Sequence, residues 1–177
     1  MIAYLRLLPA LCLAALLAAC ASSLSYSLGE LPRTSDASIE QLPEKAASSK
    51  SAEDAALLRL SAADLAYHQK NFPRAARILE QVPLDGLKPA QQIFASTLSA
   101  ELAMSRNQPK AALTALSHPS LQHVGELPEA QQIRTYSVHA AALEADGQAL
   151  PAAQQRVLLA PLLSGEQAAK NNDAIWS

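Results

Sequence analysis

From Ser51 onward apolar side chains recur at helical spacing, and short polar breaks carrying proline or glycine interrupt them. Ser51-Ala52-Glu53-Asp54 opens the first such segment, with the Ser51 hydroxyl placed to accept from first-turn amides. Ala55, Leu58, Ala62, Leu65 and Ala66 follow as one stripe. Asn71-Phe72-Pro73 breaks it, and Pro73 suits the first turn of a second helix. That helix carries Ala75, Ala76 and Leu79 and is expected to end near Val82. After a loop over Pro83 to Leu87, Pro89 opens a helix with Phe94, Leu98 and Leu102 at four-residue steps. Asn107-Gln108-Pro109 breaks again, ahead of Ala112, Leu113 and Leu116. A second loop over Pro119 to Leu127 leads to Pro128 and a helix bearing Ile133, Tyr136, Ala140 and Leu143. Gly147 ends that helix in a left-handed cap that glycine adopts at least cost. Residues 151–163 and 164–176 supply two more helices, parted near Ser164-Gly165.

The breaks repeat. Asn71, Pro73, Ala75, Ala76 and Pro83 return 36 residues later as Asn107, Pro109, Ala111, Ala112 and Pro119. A looser copy runs from Leu143 through Gly147 and Ala152-Ala153 to Pro161. Long helix, tight turn, shorter helix, proline is a unit close in length to the roughly 34 residues of a tetratricopeptide repeat. The expected fold is all-α: tetratricopeptide-like antiparallel helix pairs over residues 51–177, forming a short right-handed superhelix. The Trp and Gly-Tyr positions of strong tetratricopeptide signatures are absent, so a generic helical bundle is the competing architecture.

Before Ser51 the pattern changes. Arg6 precedes an apolar run from Leu7 to Leu17, then Ala18, Ala19 and Cys20. This is the layout of a secretory signal over residues 1–19. The run is too short for a bilayer core, which takes about 20 apolar residues. Leu17-Ala18-Ala19-Cys20 resembles the bacterial lipobox, which implies a diacylglyceryl group on the Cys20 sulfur. Each buried lipid methylene contributes about 0.8 kcal/mol to anchoring. Ala21 stands where an Asp would resemble an inner-membrane retention signal, so the expected location is the outer membrane, facing the periplasm. Residues 20–50 then read as the lipidated Cys20 and a flexible tether of serine, proline and scattered charge, with an average reach of roughly 30 Å.

Composition narrows the function. The full chain has 14 basic and 16 acidic residues, a net charge of −2, which becomes −3 once Arg6 leaves with the signal. That excludes a basic nucleic-acid surface. Cys12 leaves too and Cys20 carries lipid, so no disulfide, thiolate metal site or Cys/His catalysis is expected. No nucleophile motif or phosphate-cradling glycine loop is present. His68, His118, His123 and His139 are scattered, and a solvated loop pair is the expectation for His118 and His123. Glu53 with Asp54, and Glu126 with Glu129, read as helix-start carboxylates. Tyr67, Tyr136 and Arg106 are candidates for a concave binding face, with packing the simpler role for each. The expectation is therefore a protein-binding stack with no cofactor, no metal and no catalysis.

Lipobox, tether and helix pairs together resemble the amino-terminal region of the LppC-type penicillin-binding protein activator lipoproteins, the LpoA family. Leu87-Lys88-Pro89-Ala90-Gln91-Gln92 and Leu127-Pro128-Glu129-Ala130-Gln131-Gln132, each opening a long helix, carry the resemblance, with the closing Asn171-Asn172-Asp173-Ala174-Ile175-Trp176. The resemblance implies an outer-membrane lipoprotein that binds and activates a class A penicillin-binding protein, a bifunctional peptidoglycan synthase. It implies a second domain, resembling periplasmic binding proteins, that this chain does not include. It supplies no partner-binding residues. Two other readings stand beside it: an adaptor lipoprotein for secretin, pilus or outer-membrane protein assembly, and the helical arm of a wall-cleaving enzyme.

Overall fold

A computed structural model describes residues 28–32 and 38–176, and among these all regular structure is helical. The helices are α1 (Gln41–Ser48), α2 (Ala52–His68), α3 (Phe72–Leu79), α4 (Pro89–Ser105), α5 (Pro109–Ala115), α6 (Glu129–Ala145), α7 (Ala149–Leu159) and α8 (Gly165–Ile175). The loop before α6 is wound as a 3₁₀ segment, Pro119–Glu126, and a shorter one, Ala160–Leu162, follows α7. Successive helices pack as hairpins, α2 with α3, α4 with α5, α6 with α7, and α4 touches both α2 and α6. The helix pairs expected from the repeat are thus the architecture.

Local chemistry sets the helix ends. The Asp54 N–H donates to Ser51 Oγ at 3.3 Å, and the Arg74 N–H to Asn71 Oδ1 at 3.3 Å. Each satisfies a first-turn donor that the helix leaves open. Pro73, Pro89 and Pro109 sit in first turns, where their missing N–H costs nothing. Gly147 has φ +78, the left-handed value expected of it.

The repeat register differs by one residue from the sequence match. The long helices begin at residues 52, 89 and 129, steps of 37 and 40 (89 − 52 and 129 − 89). Each turn closes with an N–H to a carbonyl five residues back: Asn71 to Ala66, Gln108 to Ala103, Gln148 to Leu143. Asn71 therefore corresponds to Gln108. Asn107 instead corresponds to Lys70 and Gly147, all at positive φ: +56, +61 and +78. The two asparagines match in type and differ in job. Asn71 caps a helix start, while Asn107 takes the left-handed position that its short polar side chain tolerates. In the structural register Ala63, Ala100 and Ala140 line up, as do Ala75, Ala112 and Ala152, and all six are buried. A methyl group at these points lets paired helices close together, and the next pair covers them.

The core follows the stack. Leu60, Ala62, Ala63, Ala66, Ala75, Phe94, Leu98 and Leu102 form its largest cluster. Eleven of the 17 residues of α4 are buried, since it has neighbours on both sides. The expected stripe of Phe94, Leu98 and Leu102 is fully in that core.

The tether boundary at residue 50 is corrected. α1 packs on α2, with Leu42 and Ala46 buried, and Ile39 joins the same cluster. Ile39, Leu42 and Ala46 fall at helical steps, so residues 38–48 bury an apolar face and belong to the fold. Residues 28–32 also lie against it. The α3 helix ends at Leu79, short of Val82, which is buried in the loop that follows.

Candidate functional site

Three charged residues from three different helix pairs meet at one point. Arg134 of α6 donates twice to Glu101 of α4, Nε to Oε1 at 2.8 Å and Nη2 to Oε2 at 2.5 Å. The same Nη2 reaches Oδ1 of Asp64 on α2 at 2.6 Å. The guanidinium carbon lies 5.1 Å from the centre of the Phe94 ring, a cation–π contact that fills its remaining face. Burial alone would lower the Arg134 pKa. Hydrogen bonding to Glu101 and the charges of Glu101 and Asp64 outweigh it and raise the pKa above the usual arginine range. The planar fork of arginine suits this two-carboxylate geometry in a way lysine would not.

Around this hub, His68 Nε2 sits 3.6 Å from Asp64 Oδ1. The Tyr67 ring packs against His68 at 5.6 Å and Phe72 at 5.5 Å between centroids. Burial, with the Glu101 charge behind it, raises the Tyr67 hydroxyl pKa, so the phenol stays protonated. A buried hydroxyl pair, Thr97 with Thr135 at 2.9 Å, also joins α4 to α6. These contacts fix the angle between helix pairs. They put no nucleophile beside a base.

The other residues singled out in the sequence do not converge. Tyr136 packs with Leu121 on a separate apolar cluster. Arg106 lines a groove of about 430 Å³ among α3, α4 and α5, with Ala76, Leu79, Leu102 and Glu80. His118 Nδ1 takes the Ser120 N–H at 3.2 Å and starts the 3₁₀ segment. His123 Nδ1 faces Glu126 Oε1 at 2.7 Å. The two loop histidines thus have separate partners. Burial lowers the His139 pKa. Among the described residues no three His, Cys, Asp or Glu side chains are grouped to hold a metal ion. Glu53 is not a simple helix-start carboxylate: its Oε1 accepts from Lys88 Nζ at 2.8 Å and Gln91 Nε2 at 3.0 Å, which lower its pKa. Leu17, Ala18, Ala19 and Cys20 lie outside the described residues.

The motifs behind the family resemblance are structural. Gln91 Oε1 accepts the Lys88 N–H at 3.1 Å, Gln92 Nε2 donates to the Leu84 carbonyl at 3.3 Å, and Gln132 Nε2 donates to the Leu127 carbonyl at 2.7 Å. Each glutamine pins a loop to the start of a long helix. With the architecture in place, comparison with known proteins is decisive. Residues 32–177 match the family described as "LppC putative lipoprotein". The chain belongs to this family. It is 32% identical over 178 aligned residues to the penicillin-binding protein activators LpoA of Edwardsiella piscicida and Edwardsiella ictaluri. The match takes in 97% of this chain and only 24% and 25% of those proteins, so the chain spans about a quarter of their length. Among solved structures, the amino-terminal domain of E. coli LpoA aligns with a TM-score of 0.55 at 19% identity, over 81% of this chain and 61% of that one. The corresponding Haemophilus influenzae domain gives 0.52 at 22%, over 82% and 64%. At such identities the likeness establishes the fold of this LppC-family chain as that of an LpoA amino-terminal domain.

Proposed function

We propose that this chain is the helical amino-terminal part of an outer-membrane lipoprotein that binds and activates a class A penicillin-binding protein. The observation that carries the reading is 32% identity along nearly the whole chain to proteins named penicillin-binding protein activators. Those relatives are named as activators rather than enzymes. A stack whose charged residues pair with one another, as Arg134 does with Glu101 and Asp64, supports a role by contact. The lipobox Leu17-Ala18-Ala19-Cys20 supports cleavage after Ala19, lipid on Cys20 and a periplasm-facing position on the outer membrane.

Activation by contact requires the activator to favour an active state of the synthase over an inactive one. The test is direct. Purified chain, and the longer protein where one is encoded, are added to a purified class A synthase and glycan polymerisation is timed. A rise in rate with the longer protein and measurable binding of the chain are expected. No binding by either, at concentrations well above those in cells, would overturn the reading.

A further inference from the structure

Leu28–Pro32 crosses the amino-terminal end of α4 as a strap. The Leu28 carbonyl accepts the Ala90 N–H at 2.7 Å, one of the first-turn donors that α4 cannot satisfy itself. Gly29 has φ +88, and a Cβ there would lie 2.4 Å from Lys88 Cβ and 2.8 Å from Lys88 Cδ. Glycine is thus required for both conformation and space. Leu28 and Leu31 pack on Ala90, Ile93, Val124 and Leu127, and Leu31 also reaches the main core cluster. The Lys88 side chain that closes over Gly29 is held at its tip by Glu53 at 2.8 Å. Gln91, fully buried, ties the Lys88 N–H to the same carboxylate. These contacts join the strap to two helix pairs.

We propose that the strap is a stop on the membrane leash: it fixes the domain to its lipid anchor at Leu28 and keeps the starts of α4 and α6 within the reach of that short leash. This rests on the reading that Cys20 carries lipid. From Cys20 to Leu28 is eight chain steps (28 − 20). Whatever their conformation, eight steps span no more than about 28 Å. Were Ile39 the first residue held by the fold, nineteen steps (39 − 20) would allow about 65 Å. The strap lies beside Ala90, Leu127 and Pro128, so it is the loops before α4 and α6 that are kept near the lipid. The turns at Lys70 and Asn107 stand at the far ends of 17-residue helices, about 25 Å further along.

The test uses the full chain, acylated in cells, purified and placed in phosphatidylethanolamine–phosphatidylglycerol vesicles. Asp85→Cys, in the exposed loop before α4, carries a donor dye, and headgroup-labelled lipid is the acceptor. Strong energy transfer is expected from the otherwise unaltered chain. Gly29→Val is expected to cut the transfer by half or more while helix content by circular dichroism is kept. As a second variant, twelve Gly/Ser residues inserted after Ser23 leave the strap untouched and are expected to cut transfer as well. Co-flotation with vesicles separates the two readings. Flotation with transfer unchanged in Gly29→Val overturns the strap as the stop, whatever the insertion does, and failure to float overturns lipidation and the leash with it.

Discussion

The first and third helix pairs are covered differently. At the amino-terminal end α1 lays Leu42 and Ala46 on α2, and the strap Leu28–Pro32 closes the corner before α4. In the third pair α7 leaves Leu150 72%, Val157 57% and Leu158 50% exposed. The same kind of helix pair is covered in one place and exposed in the other. In a stack each pair touches its neighbours, so burial is conferred by the next element and not by the helix's own sequence.

This contrast can be broken from the middle outward. Leu98, with no exposed surface, lies in the cluster shared by the first two pairs. Leu98→Ala should lower the unfolding free energy by about 3–5 kcal/mol, read as a fall in the urea midpoint at constant slope. Arg134→Ala should cost about 3 kcal/mol, because it leaves Glu101 and Asp64 facing each other half-buried without their cation. It should also let the third pair unfold apart from the first, visible as hydrogen exchange in α6 and α7 outpacing that in α2. The covered and exposed faces are compared by a matched pair of changes. Leu42→Ala in α1 should cost about 2 kcal/mol, whereas Leu150→Ala in α7 should stay within about 0.5 kcal/mol. Equal effects would contradict the contrast.

A smaller effect is a pH dependence in the third pair. His139 on α6 is held below its ordinary pKa of 6.5 by burial, so the folded state resists its protonation. The unfolded chain takes up the proton first as pH falls. Stability should therefore be full above about pH 7 and decline as pH drops through the ordinary value toward the lowered folded one. His139→Gln should flatten that part of the melting-temperature profile between about pH 7 and 5.

Much of the fold was legible because proline, glycine and capping residues act locally. Ser51, Pro89 and Gly147 mark helix ends without help from distant residues. The register of the repeat was harder to read. Asn71 and Asn107 are alike in type, but one caps a helix start and the other takes positive φ, so counting from them gives 36 where the backbone has 37. The Arg134 hub was missed because its members come one from each pair, 37 and 33 residues apart (101 − 64 and 134 − 101). Its signal was present all the same: Glu101 is the single charged residue of α4, and a charge in such an apolar setting needs a partner. The strap and α1 looked like tether because serine, proline and charge surround their few apolar residues. Ile39, Leu42 and Ala46 find cover only once α2 is beside them. The lipobox reading rests on Leu17 to Cys20 alone, which lie outside the described residues.

The central claim, contact with a class A synthase, is tested most directly in living cells. The tagged 177-residue chain and any longer form the genome encodes are cross-linked in place, and captured proteins are identified by mass spectrometry. Capture of a class A penicillin-binding protein by both forms is the predicted result. Capture of a secretin or a barrel-assembly complex by both, with no synthase, would contradict it.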